Sequence, residues 1–274
     1  MKRIVLSIFL LLSALPIFSA DALFGDELAF KGGERAVYNI YYNLGPIWLH
    51  AANVEFSAKE RMVDQTACFD LQVTGNTIRS FDKMYTIRDT FAATVKRDGL
   101  QTLTYRESKH EDSYNCDKRY RYEWNEKGEK AKVYFVQNRK GKVTKDTMGV
   151  EQGIRDLIST CYHFRGVDMS KVSKGQSIPF KMVLDNEIFE LKLKYCGSET
   201  IKLRNKKKYK ALKFKPQVVT GDIFEDNDAL AVYVSDDENH VPLYIEAKIK
   251  VGYLKVQLDN VSGTKTPMSS LVAK

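Results

Sequence analysis

The sequence predicts a mainly β fold: a large antiparallel, strongly curved sheet or barrel-like sandwich, with one short helix in the middle of the chain. Three observations predict it. Apolar residues recur at every second position, turn-forming residues separate these runs, and a single segment has helical spacing instead.

The alternation is clearest in four runs. Tyr120, Tyr122 and Trp124 alternate with Arg119, Arg121 and Glu123. Phe189, Leu191, Leu193 and Tyr195 alternate with Glu190, Lys192 and Lys194. Leu212 and Phe214 alternate with Lys213 and Lys215, and Leu254, Val256 and Leu258 with Lys255, Gln257 and Asp259. Successive side chains of a strand point to opposite faces, so each run has one apolar and one charged face, as in antiparallel sheet solvated on one side.

Asp98-Gly99, Lys127-Gly128, Lys140-Gly141, Asp185-Asn186 and the stretch from Asp237 to Asn239 punctuate the runs. Gly, Asn and Asp tolerate the positive φ of hairpin turns, so these are predicted turns. Gly252 lies between two patterned runs and predicts a bulge or tight corner.

Ile154, Leu157, Ile158, Cys161 and Phe164 follow the spacing of an amphipathic helix, between Gly153 and Gly166. A helix over 153–165 would join two strand groups, about 34–148 and 176–262, and cover the apolar face of one sheet. Residues 263–274 have no pattern and predict a flexible tail.

The N-terminus predicts export. Lys2 and Arg3 precede the apolar run Ile4 to Leu12, and Ala20-Asp21-Ala22 offers a cleavage site after Ala22, with Ala20 as the alternative. This is the layout of a signal peptide over 1–22, and its apolar run is shorter than the roughly 20 residues of a spanning helix. The expectation is a single β-rich domain over 23–262, periplasmic or extracellular, with no transmembrane span after cleavage. The net charge of +8 comes largely from lysines that alternate along strands, the pattern of a solvated sheet face. An exported chain is not expected to meet nucleic acid. Cys68, Cys116, Cys161 and Cys196 allow three disulfide connectivities, and unpaired buried thiols fit the sequence equally.

No catalytic motif stands. There is no G-x-S-x-G, H-E-x-x-H, G-x-G-x-x-G or phosphate-binding loop. Ser80 and Lys83 match S-x-x-K, a short pattern here without its partner motifs. His50, His110, His163 and His240 are scattered, so no metal or other cofactor is expected. Asp222, Glu225, Asp226 and Asp228 lack the glycine and distal glutamate of a calcium loop.

Aromatic residues are the feature that points to binding. They are good strand and core residues, yet a strongly curved sheet can also enclose an aromatic-lined cavity. The expected site lies near Tyr120, Tyr122 and Trp124, with Arg88 and Asp89 at a rim. The expected function is a non-enzymatic binding or chaperone module for an apolar or amphiphilic envelope molecule, such as a lipid or lipoprotein segment. The alternative is a structural component with a filled core that meets another envelope protein.

The segment from Val232 to Glu246, containing Ser235-Asp236-Asp237 and Pro242, and then Lys250 to Lys255 with Gly252, resembles the closing signature of the domain of unknown function 3108 family. Glu34 to Tyr38, Tyr42 to Ile47, Tyr85 to Asp89 and Asp156 to Ile158 resemble earlier parts of its pattern. His50-Ala-Ala departs from the usual glycine and alanine there. The resemblance implies an exported, mostly β protein and transfers no catalytic residues.

Overall fold

A computed structural model of the protein describes residues 20–44, 47–217, 229–249 and 252–273. The expected signal peptide up to residue 19 and the acidic stretch Asp222–Asp228 lie outside the described residues. The first eight strands are β1 (Arg35–Leu44), β2 (Ile47–Val63), β3 (Thr66–Thr77), β4 (Arg88–Lys96), β5 (Thr102–Glu111), β6 (Tyr114–Trp124), β7 (Lys130–Arg139) and β8 (Lys142–Glu151). Helix α1 (Leu157–Phe164) follows. Then come β9 (Ser177–Leu184), β10 (Glu187–Lys202), β11 (Lys208–Pro216), β12 (Leu230–Ser235), β13 (Pro242–Lys248), β14 (Tyr253–Ser262) and the short β15 (Leu271–Ala273).

All of the strands belong to one antiparallel sheet. Its order is β8-β7-β6-β5-β4-β3-β2-β1-β14-β13-β12-β11-β10-β9, with β15 added on β11. Two meanders are therefore joined through β1 and β14, which pair from Arg35↔Ser262 to Tyr42↔Leu254. The edges of the sheet, β8 and β9, come together without closing. Asn186, in the β9–β10 turn, donates to Asp146 of β8 at 2.8 Å, and Asp185 beside it pairs with Lys118 of β6. Such contacts between the two ends of the strand order require a strongly curved sheet. Register shifts at Ile40/Tyr41, Thr94/Val95 and Tyr195/Gly197 add local bend and twist.

The predicted turns fall between strands. Asp185 and Asn186 both have positive φ, 51° and 63°, as a two-residue type I′ hairpin demands. Gly252 has φ +88°, and a Cβ there would lie 2.7 Å from the Asn43 side-chain oxygen, so both backbone and space require glycine.

The helix is shorter than its pattern. Asp156 is its N-cap, with an extended ψ of 175°, and accepts from the Ile158 and Ser159 amides at 2.8 and 2.9 Å. Ile154 is buried although it precedes the helix, because Arg155 runs parallel to Met182 of β9 and its carbonyl accepts from the Val183 amide at 2.8 Å. Cys161, expected on the apolar stripe, is exposed, and Tyr162 is buried in its place. All four cysteines carry free thiols.

The main core lies under the first meander. Phe69, Leu71, Val95, Tyr105, Tyr120, Val133 and Phe135 pack with Ile158 and Tyr162 of α1. A second core joins β1 to β11, β12, β13 and β14 around Tyr38, Tyr209, Tyr233 and Leu243.

A buried polar clasp ties these parts together. Arg165, just after α1, grips Glu34 through both guanidinium nitrogens at 2.5 and 2.9 Å and donates to the Asn239 carbonyl at 2.9 Å. His240 Nδ1 donates to the Arg165 carbonyl at 2.7 Å. Asn239 both donates to and accepts from the Thr266 backbone at 3.0 Å, and Asp237 accepts from the Ser270 amide at 3.1 Å. The expected flexible tail is thus corrected. Residues after Gly263 fold back on the β12–β13 turn, Met268 and Leu271 pack on the second core, and β15 extends the sheet. The tail lacks a periodic pattern because side chains of a distant turn, rather than a long strand partner, hold most of it.

Candidate ligand-binding site at one end of the sheet

Successive turns of an antiparallel meander alternate between the two ends of its strands. At one end, the β4–β5 and β6–β7 turns, the segment before α1 and the chain around Phe24 line a half-open pocket of about 410 Å³. That is within the roughly 300–1,000 Å³ of small-molecule sites.

Trp124, the last residue of β6, forms one wall. Its indole donates to the Thr102 carbonyl at 2.7 Å. Thr102 in turn donates its hydroxyl to Asp156 at 2.6 Å, as does Ser159, also at 2.6 Å. The helix cap therefore holds the start of β5, which holds the tryptophan. Burial pushes the Asp156 carboxyl upward, and these hydrogen bonds partly oppose it.

Phe24, Ile154 and His163 supply the other apolar surface. His163 stacks on Phe24 at 3.9 Å between ring centroids. Burial, and then the charge of Arg155, pull its pKa down to about 3, so the ring is neutral at physiological pH. Arg155 donates to the carbonyls of Gly153 and Gly99, both at 2.9 Å, bracing the β4–β5 turn. Gln101 donates to the Gly128 carbonyl at 2.8 Å and joins that turn to the next. Lys96, Asp98, Glu126 and Lys127 give the pocket a polar rim. The arrangement is a braced aromatic wall with charges above it. Among the described residues, no group of three or more His, Cys, Asp or Glu is placed to hold a metal.

The five predicted site residues do not form one site. Only Trp124 lines the pocket. Tyr122 stacks parallel to it, with centroids 6.3 Å apart, but is only 5% exposed, and Tyr120 is 2% exposed between Tyr105 and Phe135. These two tyrosines fill the core. Arg88 and Asp89 lie at the far end of β4 from Lys96, roughly 26 Å away at 3.3 Å per residue. Arg88 pairs there with Asp82 at 2.7 Å, and Asp89 accepts from the His110 amide at 3.0 Å. They are no rim to Trp124.

The interior also holds an ion pair that the sequence reading missed. Glu107 and Lys118 are both buried, 3.3 Å apart, with Tyr105 donating to Glu107 at 3.0 Å. Burial alone would lower the Lys118 pKa, but the Glu107 and Asp185 carboxylates outweigh it and raise it. The signal was present: Lys118 is in phase with Tyr120, Tyr122 and Trp124 on the inward face.

The profile of a family described as protein of unknown function, DUF3108, matches residues 37–259. Among curated proteins none matches. The crystal structure of a beta-barrel-like protein of domain of unknown function DUF1849 from Brucella abortus is similar, with a TM-score of 0.50 at 8% sequence identity, over 84% of this chain and 96% of that one. At that identity the likeness is one of fold, and it agrees with the curved, nearly closed sheet.

Proposed function

Starting from a chain that belongs to the DUF3108 family, we propose a non-enzymatic binding or chaperone module of the cell envelope that is exported and holds an apolar or amphiphilic molecule. One observation carries the proposal: the braced pocket beside Trp124, with Phe24 and Ile154 as apolar surface and Lys96, Lys127, Asp98 and Glu126 at its rim. Such a site suits a small amphiphile whose apolar part lies on the indole and whose polar end meets the lysines. The packed interior around Tyr120 and Tyr122 limits the ligand to the pocket.

The test begins with native mass spectrometry of protein purified without detergent from its own envelope, followed by solvent extraction. A reproducible amphiphile, lost on unfolding, is expected. Trp48 and Trp124 are the two tryptophans, so Trp48→Phe leaves Trp124 as the single reporter. Titration of this variant with lauric acid should change its fluorescence saturably. A clean apo mass together with flat titrations would remove the proposal.

The second reading is an interaction component of the envelope with a filled core. Its favouring observation is that Tyr120, Tyr122 and Phe135 occupy the interior of the first meander.

A further inference from the structure

We propose that the end of the sheet opposite the pocket docks on an anionic lipid bilayer surface. The argument rests on an asymmetry between the two ends. Among the described residues, the turns opposite the pocket are those joining β1 to β2, β3 to β4, β5 to β6, β7 to β8, β9 to β10 and β13 to β14. Ile47, Met84, Tyr85, Val143, Ile188 and Tyr253 lie in or beside these turns, and all are exposed. Among the described residues only Met62 and Val272 are large, exposed and apolar elsewhere. Ile47, at 60%, and Met84, at 57%, are too exposed to be edges of the core.

The tips form a connected rim. Tyr42 of β1 meets Phe81 of the β3–β4 turn edge-on at 6.5 Å. The Tyr253 amide donates to Asn43 at 2.5 Å. Tyr85 donates to Glu111 at 3.1 Å, and the Thr86 amide to Asp112 at 2.9 Å, linking the β3–β4 and β5–β6 turns. The β9–β10 turn stands back from this rim, with Asn186 reaching Asp146, four residues into β8, and Asp185 pairing with Lys118 within β6.

Charge selects the partner. Arg79, Lys83, Lys140 and Lys142 are exposed at these same turns. Among the described acidic residues there, Asp82 is paired with Arg88 and Asp185 with Lys118, Glu111 and Asp112 accept the Tyr85 and Thr86 hydrogen bonds, and Glu187 is exposed, so the exposed charge still leans positive. Trp48, beside Ile47, has Lys255 over its ring at 4.3 Å. Aliphatic and aromatic tips interleaved with cations match a bilayer interface, where the apolar tips enter the headgroup region and Lys and Arg meet anionic lipid. A protein partner is less suited, because the apolar residues stand on separate turn tips rather than lining one groove.

The test is co-sedimentation of the processed, full-length chain with vesicles of phosphatidylethanolamine and phosphatidylglycerol, against vesicles of phosphatidylcholine alone. Binding to the anionic vesicles, weakened by salt, is the expected result. Ile47→Asp with Met84→Asp should abolish it, while Arg79→Gln with Lys83→Gln should weaken it by roughly fivefold per cation removed. Both double variants change exposed side chains, so thermal melting should confirm that they fold as the parent does. No binding to anionic vesicles overturns the proposal. So does binding that neither double variant changes, since that places the lipid elsewhere. Concentration-dependent dimers abolished by Ile47→Asp with Met84→Asp, without vesicle binding, would make this end a contact between two copies. The pocket plays no part in these measurements, so failure here leaves the Trp124 site standing.

Discussion

Asp89 shows how one side chain can set a pH dependence. Its carboxyl is half-buried, accepts one backbone amide, and has its pKa pushed up from 3.8 to about 6, chiefly by burial. A group whose folded-state pKa lies above its unfolded value stabilises the fold fully below the unfolded value and loses that contribution as pH rises through the folded value. At pH 7.5 the ionised carboxylate therefore opposes folding. Asp89→Asn keeps an oxygen to accept the His110 amide and removes the charge. Its melting temperature should exceed the parent's at pH 7.5, and the gain should vanish at pH 4. An equal gain at both pH values would show that titration is not the cause. Arg88 and Asp89 are neighbours in sequence, yet pleating and local pairing give them different work. One is an exposed ion pair and the other a half-buried acceptor. Residue type suggested a binding rim, but neither type nor adjacency says which end of a strand a pocket occupies.

The element most dependent on one residue is α1. Eight residues make a helix too short to be stable alone, so its cap and packing must hold it. Asp156 supplies the cap and also receives the Thr102 and Ser159 hydroxyls, all within the core. Asp156→Ala removes the cap and the carboxylate that accepts both hydroxyls, leaving them only each other and the residue 156 carbonyl. The expected cost is about 2 kcal/mol or more in denaturant unfolding. Because Thr102 anchors Trp124, the variant should also shift Trp124 fluorescence in the Trp48→Phe background. Loss of stability with unchanged fluorescence would break the proposed link between cap and pocket. The helix was legible as a period of apolar residues, but its first turn was not. Residue 153 is a glycine at φ +86°, and Arg155 is drawn to β9, a pairing that local periodicity cannot contain. The strands were more legible, because a half-buried sheet face writes itself into every second residue.

At the scale of the whole molecule, the family's closing signature gains a structural meaning. Asp237, Asn239 and His240 bind the C-terminal segment and the residue after α1, while Arg165 reaches back to Glu34 at the start of β1. Three segments distant in sequence therefore depend on one turn. Ending the chain after Gly263 would strip the Thr266 and Ser270 partners from Asn239 and Asp237 and uncover the second core at Met268 and Leu271. The truncated protein should melt at a lower temperature, and hydrogen exchange should rise in β11 and in the β12–β13 turn before it rises in β5 or β6. Uniform exchange, or an unchanged melting temperature, would show that the clasp does not depend on the tail. The molecule also differs between its ends: a braced pocket at one, exposed apolar tips and exposed cations at the other.

By itself the sequence determined most of the strands and turns, the presence of the single helix and the membership of a family, because each rests on local periodicity, turn chemistry or a contiguous motif. The tertiary structure alone decided that Tyr120 and Tyr122 are core, that Trp124 is a pocket wall, and that Glu107 meets Lys118 inside. The reason is physical. Alternation states which side chains point inward, whereas the curvature of the sheet and the packing of α1 determine whether they meet another side chain or open space.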